Sequence, residues 1–262
     1  MTAAAFGSLL KQHRKSRRFS QLDLAAEADI STRHLSFMET GRATPSREMI
    51  LHLGRVLSMP LKDVNLLLMA AGYAQLYQQR SLDDPEMASA KQALQLLLDS
   101  HEPYPAIVMD NHWNLLMMNQ AQQDLMADLL ALGAQFTATT NLLEMFFAPK
   151  GIREFVVDWQ VFAVYLLQRV EAELLMQGEQ AFAAEFIARL TAYPGVPQDW
   201  RQQSVVFAGS PMVKLTLKLG NQEMSLFSTI AGFGSPLDVT LQGIRIEHYF
   251  PADQNTLELF KK

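Results

Sequence analysis

Apolar residues recur at helical spacing through the first 70 residues, separated by residues that cap or stop helices. Ser20 and Ser31 stand as N-caps where the second and third helices begin, and the run Thr44, Pro45 and Ser46 restarts the chain as a fourth helix. Gly41 follows the third helix as its stop signal, and Pro60 opens a fifth helix. The pattern therefore predicts a compact bundle of five short helices.

The second helix of this bundle is expected to have a buried face and to end in a tight turn. Four of its residues are predicted to face inward, namely Leu22, Leu24, Ala25 and Ala28. Asp29 occupies the turn, where the backbone needs a positive φ that Asp tolerates better than most residues. The first helix is predicted at residues 5–16, and the fourth extends through residue 57.

Between residues 85 and 193 the pattern combines helices with one pair of strands. A helix over 85–100 has as its predicted apolar face Ala90, Leu94, Leu97 and Leu98. Two β-prone runs, 106–109 and 113–118, flank a turn and predict a hairpin that leads into a helix at Asn119. Residues 142–193 are predicted to be helical, and the longest helix has an apolar stripe formed by Trp159, Phe162, Ala163, Leu166, Val170 and Leu174.

The last third changes from helical to alternating periodicity. One predicted strand places on a single face Val213, Leu215, Leu217 and Leu219. Gly220 and Asn221 form a turn into a second strand, and a third run alternates through Ile244, Ile246 and Phe250. The predicted fold class is α+β: a five-helix helix-turn-helix bundle, then an antiparallel sheet with helices on one face.

Charge is distributed unevenly between the two parts of the chain. Residues 1–80 hold eleven Lys/Arg against six Asp/Glu, a net charge of +5, and the remainder carries −10. A basic head on an acidic body is typical of a protein in which one module binds a polyanion, although a solvated basic surface is the alternative. We predict a DNA-binding domain at 1–75, a linker at 76–90 and a second domain at 91–262.

Composition excludes several other classes of function. The 262 residues are 49% hydrophobic and include no cysteine, so packed cores are expected and thiol chemistry is not. The six histidines show no metal-ligand spacing, and Ser225, Ser228 and His248 lack the sharp serine turn of a hydrolase. We expect no catalysis, no metal, no cofactor and no membrane segment, and a cytoplasmic location.

The second and third predicted helices have the length and turn spacing of a helix-turn-helix, which lays its second helix in the major groove of DNA. At the exposed start of that helix, Thr32 and Arg33 are expected to reach base edges. Gln21 and Ser31 are expected to bind phosphate oxygens, and Arg14 is a further candidate for a phosphate contact. The predicted DNA-binding set is Gln21, Ser31, Thr32, Arg33, His34, Phe37, Arg42, Arg47, Arg17 and Arg18. Phe37 either meets a thymine methyl or packs.

Residues 20–46, SQLDLAAEADISTRHLSFMETGRATPS, closely resemble the Cro/C1-type (XRE-family) helix-turn-helix domain. The matching positions are Gln21, Leu24, Ala25, Ile30, Ser31, Leu35, Ser36, Glu39, Gly41, Arg42, Pro45 and Ser46. Asp29 departs from the Gly usual in that family, which is expected to cost a little turn stability. The resemblance covers roughly residues 5–72 and implies a DNA-binding regulator.

The remaining chain is similar to the ligand-binding domain of MmyB-like regulators, a PAS-like module. The resemblance is carried by EPYPAIVMDNHWNLLMMNQAQ (102–122), the helix at 159–169, and GSPLDVTLQGIRIEHYFPAD (234–253). It implies a sheet and helices that enclose a pocket, with an apolar small molecule such as a fatty acid bound there.

Methionine and phenylalanine are abundant in this region and suit an adaptable apolar lining, although an ordinary core is the alternative. The predicted ligand-binding set is Trp113, Met117, Phe146, Phe147, Phe155, Trp159, Phe162, Leu166 and Arg169. Arg169 borders the apolar stripe and either meets an anionic head group or pairs with Glu173, four residues on.

These features predict a transcription regulator that binds operator DNA as a homodimer and senses a small apolar ligand. Because one recognition helix spans only a few base pairs, the half-sites should lie about 34 Å apart. In one alternative the second domain is a ligand-free platform for dimerisation or protein interaction. In another it is an enzyme, which paired titratable groups in a pocket would support.

Overall fold

The computed structural model describes residues 3–136, 138–204, 212–234 and 236–261, and its elements confirm the α+β class. Two compact units are present: residues 1–88 with 233–243, and residues 89–232 with 244–262. Each unit has its own hydrophobic core.

Five helices form the body of the first unit, at the positions expected from the sequence. Their bounds are α1 (Ala3–Ser16), α2 (Gln21–Glu27), α3 (Thr32–Glu39), α4 (Arg47–Val56) and α5 (Leu61–Ala70). The hydroxyl groups of Ser20 and Ser31 accept backbone N–H groups at the starts of α2 and α3, which confirms the predicted N-caps. Ser46 caps α4 in the same way.

Two turns of the first unit have the backbone conformation that the sequence predicts. Asp29 has φ 51° between α2 and α3, and Gly41 has φ 73° after α3. Leu24, Ala25 and Ala28 are buried as expected. The prediction for Leu22 is wrong, since its side chain is 67% exposed at the start of α2.

The chain after α5 is held within the first unit by side-chain hydrogen bonds. Asn65 accepts the backbone N–H groups of Leu76 and Tyr77 at 3.1 Å and donates to the Tyr77 carbonyl at 2.6 Å. Residues 233–243 fold against this segment, and α11 (Val239–Gly243) lies close to α5. The buried Asp238 carboxylate accepts the Arg80 guanidinium at 2.7 Å.

A 3₁₀ turn at the end of the first unit, Pro85–Met87, leads into α6 (Ala88–Asp99), with which the second unit begins. Leu94 and Leu98 of α6 are buried, but Leu97 is 43% exposed, so its predicted inward position is wrong. The other helices are α7 (Gln120–Ala131), α8 (Leu142–Phe147), α9 (Trp159–Met176), α10 (Gln180–Thr191) and α12 (Gln254–Leu259). A 3₁₀ turn, Ile152–Phe155, precedes α9.

The second unit is built around an antiparallel sheet of five strands. Its strands are β1 (Ala106–Met109), β2 (Leu115–Met118), β3 (Leu215–Leu219), β4 (Gln222–Ala231) and β5 (Arg245–Pro251). Their order is β2-β1-β5-β4-β3, and every neighbouring pair is antiparallel. Gly220, with φ 63°, makes the predicted turn between β3 and β4. The last strand in sequence, β5, is thus the central strand of the sheet.

Candidate functional site

The start of α3 presents polar side chains above a buried apolar base. Leu35 and Met38 are fully buried and fix the helix in the bundle. Ser31, Arg33 and His34 are exposed, and the Ser31 hydroxyl accepts the His34 N–H at 3.1 Å. This is the arrangement that a recognition helix needs, because its amino-terminal side chains must be free to meet base edges.

Phe37 contacts two of the cations on this surface. The Arg33 guanidinium lies 5.2 Å from the centre of the Phe37 ring, and that of Arg42 lies 5.9 Å from it. The Phe37 carbonyl accepts the N–H groups of Arg42 at 2.8 Å and Ala43 at 3.1 Å. Cation–π contacts restrict both guanidinium groups, so Phe37 orients them rather than simply filling the core.

A buried carboxylate connects three helices behind this surface. The Glu39 carboxylate of α3 accepts hydrogen bonds from Arg14 Nε at 2.6 Å and Nη2 at 3.0 Å. It accepts a third hydrogen bond from Gln21 Nε2 at 2.7 Å. Burial raises the pKa of Glu39. The hydrogen bonds from Arg14 and Gln21 and the charges of Arg14 and Lys11 lower this pKa by more than burial raises it, so the net shift is downward. Arg14 is buried, and the predicted phosphate contact for it is wrong.

The remaining predicted cations around the helix-turn-helix are exposed. Arg47 is the first residue of α4, and Arg18 stands in a left-handed turn with φ 60° after α1. Arg17 donates to the Ser58 carbonyl at 2.8 Å from an exposed position. These exposed cations give the surface around α3 a positive charge, which is the property that recognition of phosphate requires.

A cavity of about 360 Å³ lies inside the second unit. Its lining is mostly aliphatic and aromatic, with a few polar side chains. The described residues that line it are Met109, Trp113, Leu142, Leu143, Phe146, Phe162, Tyr165, Leu166, Arg169, Val170, Met212, Val213, Leu215, Leu226, Ser228, Ile230, Glu247 and Tyr249. This volume and this lining are typical of sites for small organic ligands.

Two ionisable side chains of opposite charge, Arg169 and Glu247, belong to the lining. Arg169 Nε donates to Glu173 Oε1 at 2.7 Å, so the pairing expected as one alternative is present. Arg245 donates to the other Glu173 oxygen at 2.5 Å, and its guanidinium lies 4.6 Å from the centre of the Trp113 ring. Burial lowers the pKa of Arg169, but the charges of Glu247 and Glu173 outweigh burial and raise it.

Hydroxyl groups complete this polar part of the cavity. Ser228 Oγ donates to Glu247 Oε1 at 2.6 Å, and the Glu247 side chain is only 8% exposed. Burial raises the pKa of the Tyr249 phenol, and the charge of Glu247 and a hydrogen bond with it raise it further. These groups form one polar cluster, which we define as Arg169, Glu173, Ser228, Arg245, Glu247 and Tyr249. Glu173 and Arg245 lie outside the described lining, and the other four line the cavity.

Residues 90–262 match the family model described as the MmyB-like transcription regulator ligand binding domain, which covers well over half of the chain. The chain belongs to the MmyB-like transcription regulators. Residues 5–67 of this MmyB-like regulator match a model described as a helix-turn-helix domain. No curated protein matches the chain.

Together these matches identify a DNA-binding transcription regulator with a ligand-binding domain, and both families are regulator domains rather than enzymes. In the part of the chain that the structure describes, no helix is long and apolar enough to cross a membrane. The same described residues contain no cluster of His, Asp and Glu suited to a metal ion.

Most of the predicted ligand-binding set lies in the cavity of the MmyB-like domain. The predicted residues that line it are Trp113, Phe146, Phe162, Leu166 and Arg169. The predicted residues that lie outside the described lining are Met117, Phe147, Phe155 and Trp159. Phe147 is fully buried and packs edge-on against Trp159 at 5.1 Å, so these two rings belong to the core.

The sequence did not indicate that three polar residues of the MmyB-like domain line the cavity: Ser228, Glu247 and Tyr249. In the alternating run of β5, the apolar positions Ile244 and Ile246 mark one side as buried, which assigns Glu247 and Tyr249 to solvent. No local pattern indicates that this second side is covered, because the residues across the cavity from it belong to α8 and α9.

Proposed function

We propose that this MmyB-like regulator controls transcription in response to a small apolar ligand bound in the cavity of its second unit. The observation that carries the proposal is the cavity of about 360 Å³, lined mainly by aliphatic and aromatic side chains. A ligand-free dimerisation platform, the alternative from the sequence, has no need of such a cavity. A location in the cytoplasm accords with DNA as the partner.

The DNA-binding part of the proposal assigns α3 to the major groove, as in Cro/C1-type (XRE-family) domains. Thr32, Arg33 and His34 then meet base edges. Phosphate contacts come from Ser31 and from exposed cations, namely Arg17, Arg18, Arg42 and Arg47. The side-chain amide of Gln21 donates a hydrogen bond to Glu39. Gln21 therefore contacts phosphate through its backbone N–H at the start of α2 and not through its side chain. The regulator acts as a homodimer on half-sites about 34 Å apart.

A fatty acid is the ligand that the family resemblance suggests, and the cavity offers support for its chain. Phe146, Phe162 and Leu166 provide apolar surface along α8 and α9. Phe146 also borders a smaller neighbouring cavity of about 40 Å³, which extends the apolar space. Burial of an alkyl chain contributes about 0.8 kcal/mol per CH₂ group, so a chain of modest length supplies most of the affinity.

Residues 233–243 are the proposed route by which the ligand alters DNA binding. They join β4, which carries Ser228 and Ile230 into the cavity lining, to β5, which carries Glu247 and Tyr249. The segment itself folds within the first unit, where Asp238 holds Arg80. A ligand that favours one position of these strands thereby biases one state of the DNA-binding unit.

Operator selection from random duplex DNA, with and without an added apolar ligand, tests the proposal. For Arg33→Ala we expect the selected sequence to lose its preference at one base pair, at a cost of about 1–3 kcal/mol. Arg55→Ala is the control, because Arg55 is an exposed cation of α4 outside the predicted DNA-binding set. An unchanged selected sequence for Arg33→Ala shows that the base contact is misassigned.

Native mass spectrometry of the purified full chain separates the ligand-sensing proposal from its alternative. A small hydrophobic molecule that co-purifies with the protein supports ligand sensing. A chain that remains empty, and whose operator affinity no apolar compound changes, supports a platform for dimerisation or protein interaction.

A further inference from the structure

The ionisable groups of the polar cluster balance one another. Arg169 and Arg245 supply two positive charges, and Glu173 and Glu247 supply two negative charges. The remaining described residues of the lining carry no charge at neutral pH. Residues 205–211, VVFAGSP, lie outside the described part of the chain and contain no ionisable side chain, so they leave this balance unchanged.

The Arg169 guanidinium is already under the influence of two carboxylates, Glu173 and Glu247. Its Nε already donates to Glu173 at 2.7 Å, and the charge of Glu247 acts on the same guanidinium. A ligand carboxylate placed beside Arg169 also approaches Glu247, a like charge that is only 8% exposed. In so enclosed a place, an added negative charge loses its hydration and meets repulsion from Glu247.

Uncharged polar groups fit the same cluster well. The Glu247 carboxylate can accept several hydrogen bonds, of which Ser228 uses one at 2.6 Å. The hydroxyl oxygens of Ser228 and Tyr249 can in turn accept a bond from a ligand. A hydroxyl or amide group both donates and accepts, so it can satisfy these partners without disturbing the charge balance.

We propose that the cavity selects an uncharged amphiphile, an alkyl chain that ends in a hydroxyl or a primary amide, and disfavours a carboxylate of equal chain length. This inference rests on the proposed function, because it presupposes that the cavity binds an apolar ligand. Under it, a fatty acid enters only in its protonated form.

The test compares decan-1-ol, decanamide and decanoate, which share a ten-carbon skeleton and differ in the head group. Each competes with the neutral fluorescent probe N-phenyl-1-naphthylamine for the full-length protein near neutral pH. We expect the alcohol and the amide to displace the probe at concentrations about tenfold lower than decanoate, or lower still. A wild-type protein that binds decanoate as tightly as the two neutral compounds overturns the proposal.

Glu247→Gln gives a second, independent readout. It leaves one positive charge unbalanced in the polar cluster and removes a charged acceptor for the alcohol, so the ratio of decanoate affinity to decan-1-ol affinity should rise by about tenfold. Glu223→Gln on the exposed part of β4 is the matched control, since it alters the total charge equally. If Glu247→Gln fails to fold, Ser228→Ala replaces it and should weaken the alcohol and the amide more than decanoate.

Two different experimental outcomes distinguish a wrong head-group assignment from a wrong proposed function. If the probe binds and decanoate competes best, the cavity binds apolar ligands and only the head-group assignment is wrong. If neither the probe nor any ten-carbon compound binds, the ligand-sensing function itself fails, and the head-group inference fails with it.

Discussion

Glu39 is the residue on which the position of the recognition helix most directly depends. Its carboxylate receives Arg14 from α1 and Gln21 from α2, so a single side chain of α3 ties together three helices. A buried ion pair of this kind pays a large desolvation cost and adds little net stability, but loss of one partner leaves an uncompensated charge. Its contribution is therefore to fix one arrangement of α3 against α1 and α2.

The lowered pKa of Glu39 predicts that acid weakens the first unit. A carboxyl group whose pKa is lower in the folded state than in the unfolded state stabilises the fold above its unfolded value of 4.5. That stabilisation is lost as the pH falls through the lower, folded value. Between about pH 5 and pH 3, the protection of peptides from α1, α2 and α3 against hydrogen exchange, relative to the intrinsic rate at each pH, should therefore fall more in the wild type than in Glu39→Gln.

Glu48→Gln provides the comparison, because Glu48 is an exposed acidic residue of α4. It should keep the acid response of the wild type while Glu39→Gln loses part of it. Identical profiles for all three proteins contradict the role assigned to Glu39. Glu39→Gln should also be less stable near neutral pH, by about 3–5 kcal/mol at most, because Arg14 stays buried without its charge partner.

Single residues of the DNA-binding unit were partly predictable from the sequence. Caps and turns depend on neighbours within four residues, and accordingly Ser31, Gly41 and Asp29 behave as expected. Arg14 was misassigned because its partner is 25 residues away, and no local pattern distinguishes a buried arginine from an exposed one. Leu22 was misassigned because α2 is short, and an apolar side chain at its start need not face the core.

At the scale of elements, the close approach of α1 to α3 depends on Gly7. A Cβ atom at this position would lie 2.3 Å from the Glu39 carbonyl oxygen and 2.8 Å from that of Met38. Both atoms belong to the backbone and cannot rotate away. Gly7→Ala should therefore push the helices apart and destabilise the first unit by about 1–3 kcal/mol, despite the better helix propensity of Ala.

Pulse proteolysis in urea, with cleavage sites assigned to residues 5–70, measures this loss for the first unit alone. Ser8→Ala is the paired variant, because Ser8 is exposed on the same helix. It should leave the urea midpoint unchanged or raise it slightly. A Gly7→Ala midpoint equal to that of Ser8→Ala would show that the two helices can separate at no cost.

The order and type of the elements were predictable, but the faces of the strands were less so. Helical and alternating periods, together with caps, predicted the helices before residue 193 and the antiparallel strands in sequence order, but not the short helices α11 and α12. Which side of a strand meets the cavity depends on the strands beside it. Met117 on β2 illustrates this, since its neighbour Met118 packs against the larger core and Met117 does not.

At the scale of the whole molecule, the division into compact units does not follow the order of the chain. The family match to the ligand-binding domain spans residues 90–262, yet residues 233–243 fold with the first unit. The Arg80 backbone N–H donates to Thr240 Oγ1 at 3.1 Å, and Leu61 N–H donates to Gln242 at 2.7 Å. These partners lie more than 150 residues apart in the sequence. No local pattern indicates such contacts, and so the sequence alone did not predict them.

Asp238→Asn should uncouple the cavity from DNA binding. The amide keeps an oxygen that can accept the Thr240 N–H, a bond of 2.8 Å in the wild type, but it loses the charge that holds Arg80 at 2.7 Å. If residues 233–243 transmit the ligand signal, the ligand-induced change in operator affinity should shrink toward onefold. A typical coupling of 1–3 kcal/mol, about 5–150-fold, leaves ample range for the measurement.

Fluorescence anisotropy with a labelled operator, with and without saturating decan-1-ol, measures the coupling. Asp124→Asn on the exposed face of α7 is the matched charge control and should retain it in full. Affinity of Asp238→Asn for decan-1-ol should remain near the wild-type value, because Asp238 does not line the cavity. Since coupling is reciprocal, the operator should also cease to alter the affinity of this variant for decan-1-ol. Full coupling in Asp238→Asn, measured in both directions, means that the signal does not depend on the Arg80–Asp238 ion pair.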